Sequence, residues 1–180
     1  MTSLRELIDS TKTDKDTAHT YLPMYESLLS KYRDTAMRVM EIGVFHGGSI
    51  LMWQKYFTKA EIHARDVADM PECLAGVERV FFHKGDAYNE ESTSPEDVKY
   101  DVIIDDGPHT LESFVKFINI YLKRLAPGGI AIIEDIQSPD WIPVLYSCLP
   151  SNEHRLNSFV IDMRLSKKRH DDLVFVIKAV

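Results

Sequence analysis

The sequence predicts a doubly wound α/β fold, with a sheet of seven strands that is mostly parallel and ends in an antiparallel hairpin. Short apolar runs typical of buried strands alternate with amphipathic segments along most of the chain. Residues 100–137 have the pattern strand, helix, strand with short turns, which indicates a right-handed crossover between parallel strands. Residues 156–163 and 172–180 are two apolar runs joined by a polar, basic turn, and this pattern predicts the hairpin.

Size and composition favour one globular domain over residues 1–180, with an N-terminal leader or lid at 1–35 and the sheet at 36–180. Hydrophobic residues make up 44% of the chain and charged residues 27%, which is typical of a soluble protein. The net charge of −7 argues against nucleic acid as the main partner, because nucleic-acid binding relies on basic patches.

The sequence carries no sign of a membrane or secretory protein. It has no apolar run long enough to span a bilayer, and residues 1–16 lack the apolar core of a signal peptide. The two cysteines, Cys73 and Cys148, have no metal-like spacing and are expected to be reduced thiols. We therefore expect a cytoplasmic protein with no membrane partner.

The elements around the central unit follow in chain order. A helix is predicted over 23–32, with Pro23 in its first turn, and the first strand over 38–43. A helix from Ser49, a strand at 61–65 and a strand at 79–84 follow, and a full crossover helix barely fits in the segment 67–77 between these strands. The remaining predicted elements are a loop or short helix at 88–99, a helix from Leu111 that Pro127, Gly128 and Gly129 end, and a helix capped by Ser138.

A glycine-rich turn follows the first strand and leads into a helix, a pattern typical of sites that bind nucleotide-like ligands. The turn contains Gly43, Gly47 and Gly48, but Phe45 stands where the dinucleotide fingerprint has its second glycine. This departure argues against close approach of a pyrophosphate to the backbone. Asp66, directly after the second strand, is in position to bind ribose hydroxyls.

Two acidic turns follow the two strands of the central unit. Asp105, Asp106 and His109 come after the first of these strands, and Glu134 and Asp135 come after the second. Because the carboxyl ends of parallel strands meet at one edge of a sheet, these five side chains are expected to converge on one cleft. If they stood alone, Asp105 and Asp106 would be explained equally well by a strand end and a helix N-cap.

Several motifs together resemble those of class I, metal-dependent sugar O-methyltransferases. They are EIGVFHGGSILMW from Glu41, the acid Asp66, GDA at 85–87, DDGPH at 105–109 and IEDIQ at 133–137. The leader TDKDTAHTYLPMYE is similar to a segment of the same family, and the resemblance covers residues 12–142. That family methylates deoxysugar hydroxyls on macrolide antibiotics, and it is related to rhamnosyl O-methyltransferases and to proteins labelled cephalosporin hydroxylase. An antiparallel last strand is likewise a mark of class I methyltransferases.

The resemblance implies a pocket for S-adenosylmethionine and a divalent metal site. The implied cofactor residues are Glu41, Gly43 and Gly47 after the first strand, Asp66 at the ribose, Asp86 and Ala87 at the adenine, Asp105 at the methionine moiety, and Lys15, His19 and Tyr21 from the leader. The implied ligands of Mg²⁺ (or Mn²⁺) are Asp106, Glu134 and Asp135, and the implied catalytic base is His109.

Such an arrangement suits methyl transfer to a sugar hydroxyl, which is a poor nucleophile at neutral pH. A hard cation prefers oxygen ligands, keeps positions for substrate hydroxyls and lowers the pKa of those hydroxyls. His109, three residues after Asp106, could accept the proton. Its alternative role is to satisfy backbone groups at the start of the helix. Clustered carboxylates repel one another without a cation, which favours a metal site.

Other functions are compatible with the sequence. The same metal chemistry would serve a catechol-like diol, a similar sheet could bind a nicotinamide cofactor, and the domain could be a non-catalytic binding module. Pro108 replaces a small polar residue of the family motif, and IQSPDW follows Asp135 in place of an aromatic-rich run. These departures leave the acceptor open as a small molecule or glycan. A homo-oligomer, or a fusion to a glycosyltransferase, is compatible with the length.

Overall fold

The computed structural model describes residues 2–89 and 98–179. In these residues, seven strands form one sheet in the order β3-β2-β1-β4-β5-β7-β6. The strands are β1 (Arg38–Ile42), β2 (Glu61–Asp66), β3 (Val80–Lys84), β4 (Tyr100–Asp105), β5 (Leu125–Ile133), β6 (Ser158–Asp162) and β7 (Leu173–Lys178). Most of the loop or short helix predicted at 88–99 lies outside the described residues.

Helices and short 3-10 turns connect these strands. The helices are α1 (Leu4–Leu7), α2 (Tyr21–Leu29), α3 (Gly48–Tyr56), α4 (Leu111–Tyr121), α5 (Ile142–Cys148), α6 (Asn152–Leu156) and α7 (Arg164–Lys167). The connection between β2 and β3, where a full crossover helix was expected barely to fit, contains the 3-10 turn Glu72–Leu74 and no longer helix. Within the described ranges, no helix combines the length and the apolar character needed to cross a membrane.

The pairing of the strands confirms the predicted topology. Strands β1 to β5 pair in parallel, and Ile42 of β1 lies beside Asp105 of β4, which in turn lies beside Ile133 of β5. Strand β7 is antiparallel to both of its neighbours, β5 and β6. The carboxyl ends of β1, β4 and β5 are therefore level with one another, which brings their following turns together.

Helices cover both faces of the sheet. Successive residues of a strand point to opposite faces, so Val39 and Met40 belong to two different buried clusters. On one face, the strands share a cluster with Tyr25 of α2 and Trp53 of α3, and on the other face with Phe114 of α4. This double cover is the doubly wound arrangement that the sequence predicted.

The predicted end of the helix after Leu111 was wrong. Helix α4 ends at Tyr121, and β5 already begins at Leu125, so the Pro127–Gly129 segment lies inside that strand. The register with β4 shifts there, from Tyr100 beside Leu125 to Val102 beside Ile130. Gly128 has φ of 73°, which explains how the strand takes up the extra residues as a bulge. The short helices α6 and α7 were also not predicted.

Candidate active site

A cavity of about 610 Å³ opens at the carboxyl edge of the sheet. The turns after β1, β2, β3, β4 and β5 all contribute to its wall, together with the leader segment Lys12–Asp14. Seven residues predicted from the sequence line it: Gly43, Asp66, Asp86, Ala87, Asp106, His109 and Asp135. The cavity therefore joins the predicted cofactor side of the edge to the predicted acidic side.

On the cofactor side, backbone groups fix two carboxylates. Asp66 accepts hydrogen bonds from the N–H groups of Val44 and Ala68, each at 2.8 Å. Asp86 accepts one from the N–H group of Tyr88, also at 2.8 Å. Both side chains line the cavity and can accept hydrogen bonds from the hydroxyl or amino groups of a nucleoside.

The glycines after β1 allow segments of the protein to approach one another. Gly43 has φ of 87°, and a Cβ atom there would lie 1.8 Å from the carbonyl oxygen of Asp106. A Cβ atom at Gly48 would lie 2.7 Å from the carbonyl oxygen of Lys12 in the leader. Gly47 precedes α3, packs near Cys73 and does not line the cavity. Chain packing thus accounts for a glycine pattern that differs from the dinucleotide fingerprint.

On the acidic side, Asp106, His109 and Asp135 converge. His109 Nε2 lies 3.2 Å from Asp106 Oδ1 and 3.8 Å from Asp135 Oδ2. One ligand atom from each of the three residues lies within 4.8 Å of the others, a spacing that a single metal ion can bridge. Burial lowers the pKa of His109, but its hydrogen bond to Asp106 and the nearby negative charges raise it more, so the net shift is upward.

Lys15 lies beneath this side of the cavity and contacts three carboxylates. Its ammonium group is 2.7 Å from Glu134 Oε2, 2.8 Å from Asp106 Oδ2 and 3.2 Å from Glu41 Oε1, and only 1% of its side chain is exposed. Burial opposes the charge of Lys15, but the surrounding carboxylates hold its pKa well above the usual value. Lys15 therefore neutralises part of the acidic cluster and does not line the cavity.

Glu134 differs from the other two predicted metal ligands. Burial raises the pKa of its carboxyl to about 7, and its Oε2 atom is bound to Lys15. Its Oε1 atom is buried and has no hydrogen-bond partner among the described residues. A buried, unpartnered carboxylate oxygen next to Asp135 fits a cation better than an empty site. Glu134 does not line the cavity, however, and is not among the three residues whose ligand atoms converge, so its role as a metal ligand stays a prediction.

The other two leader residues also contact acidic side chains. His19 Nδ1 lies 2.6 Å from Asp172 Oδ1 and 3.4 Å from Asp135 Oδ1, and the hydroxyl of Tyr21 donates a hydrogen bond to Asp135. Burial lowers the pKa of His19, but the hydrogen bonds and charges of the nearby aspartates, Asp14 among them, raise it to about 9. Neither residue lines the cavity, so their predicted contact with a cofactor stays a prediction.

Glu41 and Asp105 are fully buried and do not line the cavity either. Glu41 accepts a hydrogen bond of 2.7 Å from the indole N–H of Trp53. Asp105 accepts one from the hydroxyl of Tyr88, and burial raises the pKa of Asp105 to about 7. Asp105 thus holds Tyr88, which lines the cavity, whereas Glu41 contacts Trp53 and Lys15 behind it, and a direct role of either carboxylate in cofactor binding stays a prediction.

Sequence reasoning missed two residues of the site. Tyr88 lines the cavity, binds Asp105 and would lie 2.0 Å from a Cβ atom at Gly107, so it fixes the first acidic turn. Its position directly after the GDA motif is a signal that could have identified it. Asp172, which binds His19, stands at the start of a strand and carries no such signal.

Comparison with known proteins gives the family. A methyltransferase domain model matches residues 40–136. The chain is 32% identical to 8-demethyl-8-alpha-L-rhamnosyl tetracenomycin-C 2'-O-methyltransferase of Streptomyces olivaceus, over 72% of this chain and 36% of that protein. It is 29% identical to demethylmacrocin O-methyltransferase of Streptomyces fradiae, over 77% of this chain and 37% of that protein. The chain thus spans about a third of the length of these relatives.

Solved structures agree on the fold. The MycE methyltransferase of the mycinamycin biosynthetic pathway, in complex with Mg, SAH and mycinamycin VI, matches with a TM-score of 0.75 and 23% identity, over 99% of this chain and 54% of that chain. A putative methyltransferase from Streptococcus mutans in complex with SAH has a TM-score of 0.66 and 13% identity, over 88% of this chain and 97% of that chain. Since the domain model matches more than half of the chain, and the S. olivaceus relative is 32% identical over 72% of it, the chain belongs to the methyltransferase domain family.

Proposed function

We propose that the protein transfers a methyl group from S-adenosylmethionine to a hydroxyl group of a sugar or glycoside, with a deoxysugar such as rhamnose as the favoured class. The observation that carries the proposal is the two-sided cavity. Asp66 and Asp86 offer hydrogen-bond acceptors on one side, and Asp106, His109 and Asp135 form an acidic cluster on the other. Relatives named as rhamnosyl and macrolide sugar O-methyltransferases support the acceptor class.

The cofactor would lie along the carboxyl ends of strands β1, β2, β3 and β4. Asp66 would accept hydrogen bonds from the ribose hydroxyls, since it lines the cavity, two backbone N–H groups fix its carboxylate, and each oxygen keeps a second lone pair. Asp86 and Ala87 would lie at the adenine. S-adenosylmethionine supplies the methyl group, and the residues of the cavity orient it toward the acceptor.

The metal ion would be Mg²⁺ or Mn²⁺, held by Asp106, Asp135 and the free oxygen of Glu134. Bound there, it would lower the pKa of an acceptor hydroxyl and keep that hydroxyl in place. Lys15 and Tyr21 hold Glu134 and Asp135 in position from below the cavity.

His109 is the proposed proton acceptor. It lines the cavity beside Asp106 and Asp135, and its φ of 54° is an uncommon backbone conformation of the kind often found at functional sites. Removal of a general base typically costs about 10²- to 10⁴-fold in rate, so His109→Ala is expected to fall in that range. His109→Gln, which keeps a hydrogen-bonding side chain, should be equally slow.

The acceptor is expected to be a small molecule or glycan, and neither nucleic acid nor membrane is an expected partner. A cytoplasmic location, a single domain over 1–180, and a homo-oligomer or glycosyltransferase fusion stay predictions. The catechol-like alternative shares the metal chemistry, so an assay with both kinds of acceptor distinguishes the two.

Calorimetric titration of S-adenosylmethionine into the purified protein, with magnesium and again with a chelator, tests the cofactor. Methylation of methyl α-L-rhamnopyranoside and of catechol, followed as S-adenosylhomocysteine release, then tests the acceptor. Asp106→Ala and Glu134→Ala should lose transfer by about a hundredfold or more. Glu112→Ala, an exposed carboxylate of α4, is the control and should keep wild-type activity. Absence of cofactor binding in both conditions would overturn the proposal.

A further inference from the structure

Two histidines that do not line the cavity lie side by side on neighbouring strands, His63 on β2 and His83 on β3. The two strands pair in parallel, with Arg65 of β2 beside His83. Because residues two apart in a strand share a face of the sheet, His63 and His83 are on the same face. Nδ1 of His63 is 3.2 Å from Nε2 of His83, and the planes of the two rings differ by only 1°.

The separation of these two nitrogens fits a shared metal ion as well as a hydrogen bond. Imidazole nitrogens bound to one Zn²⁺ ion, at about 2.0–2.1 Å each, lie about 3.3–3.4 Å apart in tetrahedral geometry. If the two bonds meet at a right angle, as in square-planar Cu²⁺ sites, the nitrogens lie about 2.9 Å apart. The observed 3.2 Å falls between these two values. A small rotation of the rings would therefore let both nitrogens bind one ion.

Neighbouring aromatic side chains hold the rings in place. The ring of Phe81 stacks on that of His63, and the ring of Tyr100 meets His63 edge-on, each with 5.3 Å between the ring centroids. Both histidines are also carried by strands of the same sheet, and sites on strands are positioned more precisely than sites on loops. Two ligands that are already in place lose little conformational freedom when they bind an ion.

The outer nitrogen of His63 has a feature that suits metal binding. When Nδ1 of a neutral imidazole binds a metal, the ring carries its proton on Nε2. Nε2 of His63 is buried, has no hydrogen-bond partner among the described residues, and lies 3.6 Å from Oε2 of Glu61. A carboxylate at the outer nitrogen of a metal-bound histidine fixes its tautomer and strengthens the metal bond. Glu61 is in position to take that role.

The charges around the pair decide which class of metal it would bind. Glu61 also pairs with Arg38 at 3.0 Å, and Arg65 stands beside His83. Burial, together with the positive charge of neighbouring groups, lowers the pKa of both histidines, and neutral imidazole is the form that binds metals. Mg²⁺ and Ca²⁺ require oxygen ligands, which the two facing nitrogens do not provide, whereas Zn²⁺ and Cu²⁺ bind well to imidazole.

We propose that His63 and His83 together bind a divalent transition-metal ion of the kind that prefers nitrogen ligands, Zn²⁺ or Cu²⁺. Water would complete the coordination, since the side chain of His63 is 14% exposed and the neighbouring Phe81 is 45% exposed. The ion would join β2 to β3, which is the last strand of the sheet. This site is separate from the acidic cluster, and the proposal does not depend on methyl transfer.

The number of nitrogen ligands distinguishes this site from the others. Two further groups of potential metal ligands occur among the described residues, and each contains one histidine: Asp106, His109 and Asp135, and His19, Asp135 and Asp172. Electron paramagnetic resonance of the whole protein with equimolar Cu²⁺, in excess Mg²⁺, counts the bound nitrogens. We expect coupling to two imidazole nitrogens. A spectrum with one nitrogen or none would show that the two histidines are a hydrogen-bonded pair only, and would overturn the proposal.

Calorimetric titration of Cu²⁺ into variants assigns the two nitrogens. His63→Gln and His83→Gln should each lower the affinity by more than the roughly ten- to hundredfold that loss of a supporting partner costs. Glutamine can still form a hydrogen bond across the strands, and circular dichroism checks that each variant is folded. His154→Gln is the control, because it removes a histidine of α6 that bonds to Ser151, and it should keep the wild-type affinity.

Two more variants complete the test. Glu61→Gln should weaken Cu²⁺ by roughly tenfold, because it removes the carboxylate near the outer nitrogen of His63. Asp106→Ala should keep the spectrum with two nitrogens, since Asp106 belongs to the acidic cluster. If Asp106→Ala abolished that spectrum, or if His63→Gln and His83→Gln both kept it, the ion would lie elsewhere and the proposal would be wrong.

Discussion

The carboxylates of Asp66 and Asp86 accept hydrogen bonds from backbone N–H groups of nearby loops, whereas those of Asp106, Glu134 and Asp135 are held by side chains from the leader. The first half of the cavity is thus built by local chain geometry. The second half depends on a segment far away in sequence. The two halves should therefore respond differently to substitution, because the second depends on Lys15, a buried cation that neutralises carboxylates from three strand ends.

The largest difference is expected at Lys15. Lys15→Met would leave the buried Glu41 and Glu134, and the partly exposed Asp106, without their common counter-charge, and loss of one partner of a buried ion pair typically costs about 3–5 kcal/mol. Denaturant unfolding followed by circular dichroism would measure the loss.

The matched control is Lys12→Met, since the Lys12 side chain is 38% exposed and lies 3.7 Å from Asp9. A pair this exposed contributes about 0–1 kcal/mol, so the control should remain close to wild type. A Lys15→Met variant as stable as Lys12→Met would show that the acidic half does not depend on the leader.

This contrast explains why one half was easier to predict. The strands, the crossover and the meeting of Asp106, His109 and Asp135 follow from short apolar runs and from the rule that parallel strand ends share an edge. The role of Lys15 has no such signal. It lies in a polar leader, and its partners Asp106 and Glu134 are 91 and 119 residues away. A lysine in such a segment is usually solvated.

The Pro-Gly-Gly segment shows a second limit of the sequence. Pro127, Gly128 and Gly129 are typical of a chain that leaves a helix, and this local preference predicted a turn. Pairing with β4 overrides the preference, because Leu125 already lies beside Tyr100 and the strand resumes at Ile130. A bulge depends on the partner strand, and single-strand patterns do not contain that information.

A smaller effect is expected in the first half. Asp66→Asn would keep one oxygen as an acceptor, while its amide group would face the second backbone N–H group. One unsatisfied donor costs about 1–2 kcal/mol, less than the loss expected for Lys15→Met. Thermal unfolding measures the stability, and calorimetry measures the affinity for S-adenosylmethionine, which should fall.

Asp69→Asn is the control for this variant, because its carboxylate is 90% exposed and pairs with Lys84 on the surface. If Asp66→Asn destabilised the protein as much as Lys15→Met, the proposed difference between the two halves would disappear.

The smallest expected effect is the pH dependence of stability that arises from β2 and β3, the strands whose following turns contribute to the first half of the cavity. His63 of β2 and His83 of β3 are 3.2 Å apart, and burial, together with the positive charge of neighbouring groups, lowers the pKa of both. At a pH below about 6.5, the pKa of a histidine in the unfolded chain, the unfolded chain therefore binds more protons at these two positions than the folded protein does. The stabilising contribution of these two histidines should be complete above about pH 6.5 and should be lost as the pH drops through their folded pKa values.

His63→Gln removes the titrating group and should flatten this part of the stability curve, measured by urea unfolding from pH 7.5 down to 5. Phe81→Leu replaces the ring that stacks on His63, with 5.3 Å between the two ring centroids, and removes no titrating group. It should lower stability by the same amount at every pH and keep the slope. An unchanged slope in His63→Gln would mean that the pH dependence arises elsewhere. The Glu134 carboxyl could not be its source, because its raised pKa makes stability rise as the pH falls toward 5, so the histidine pair would no longer distinguish the two halves.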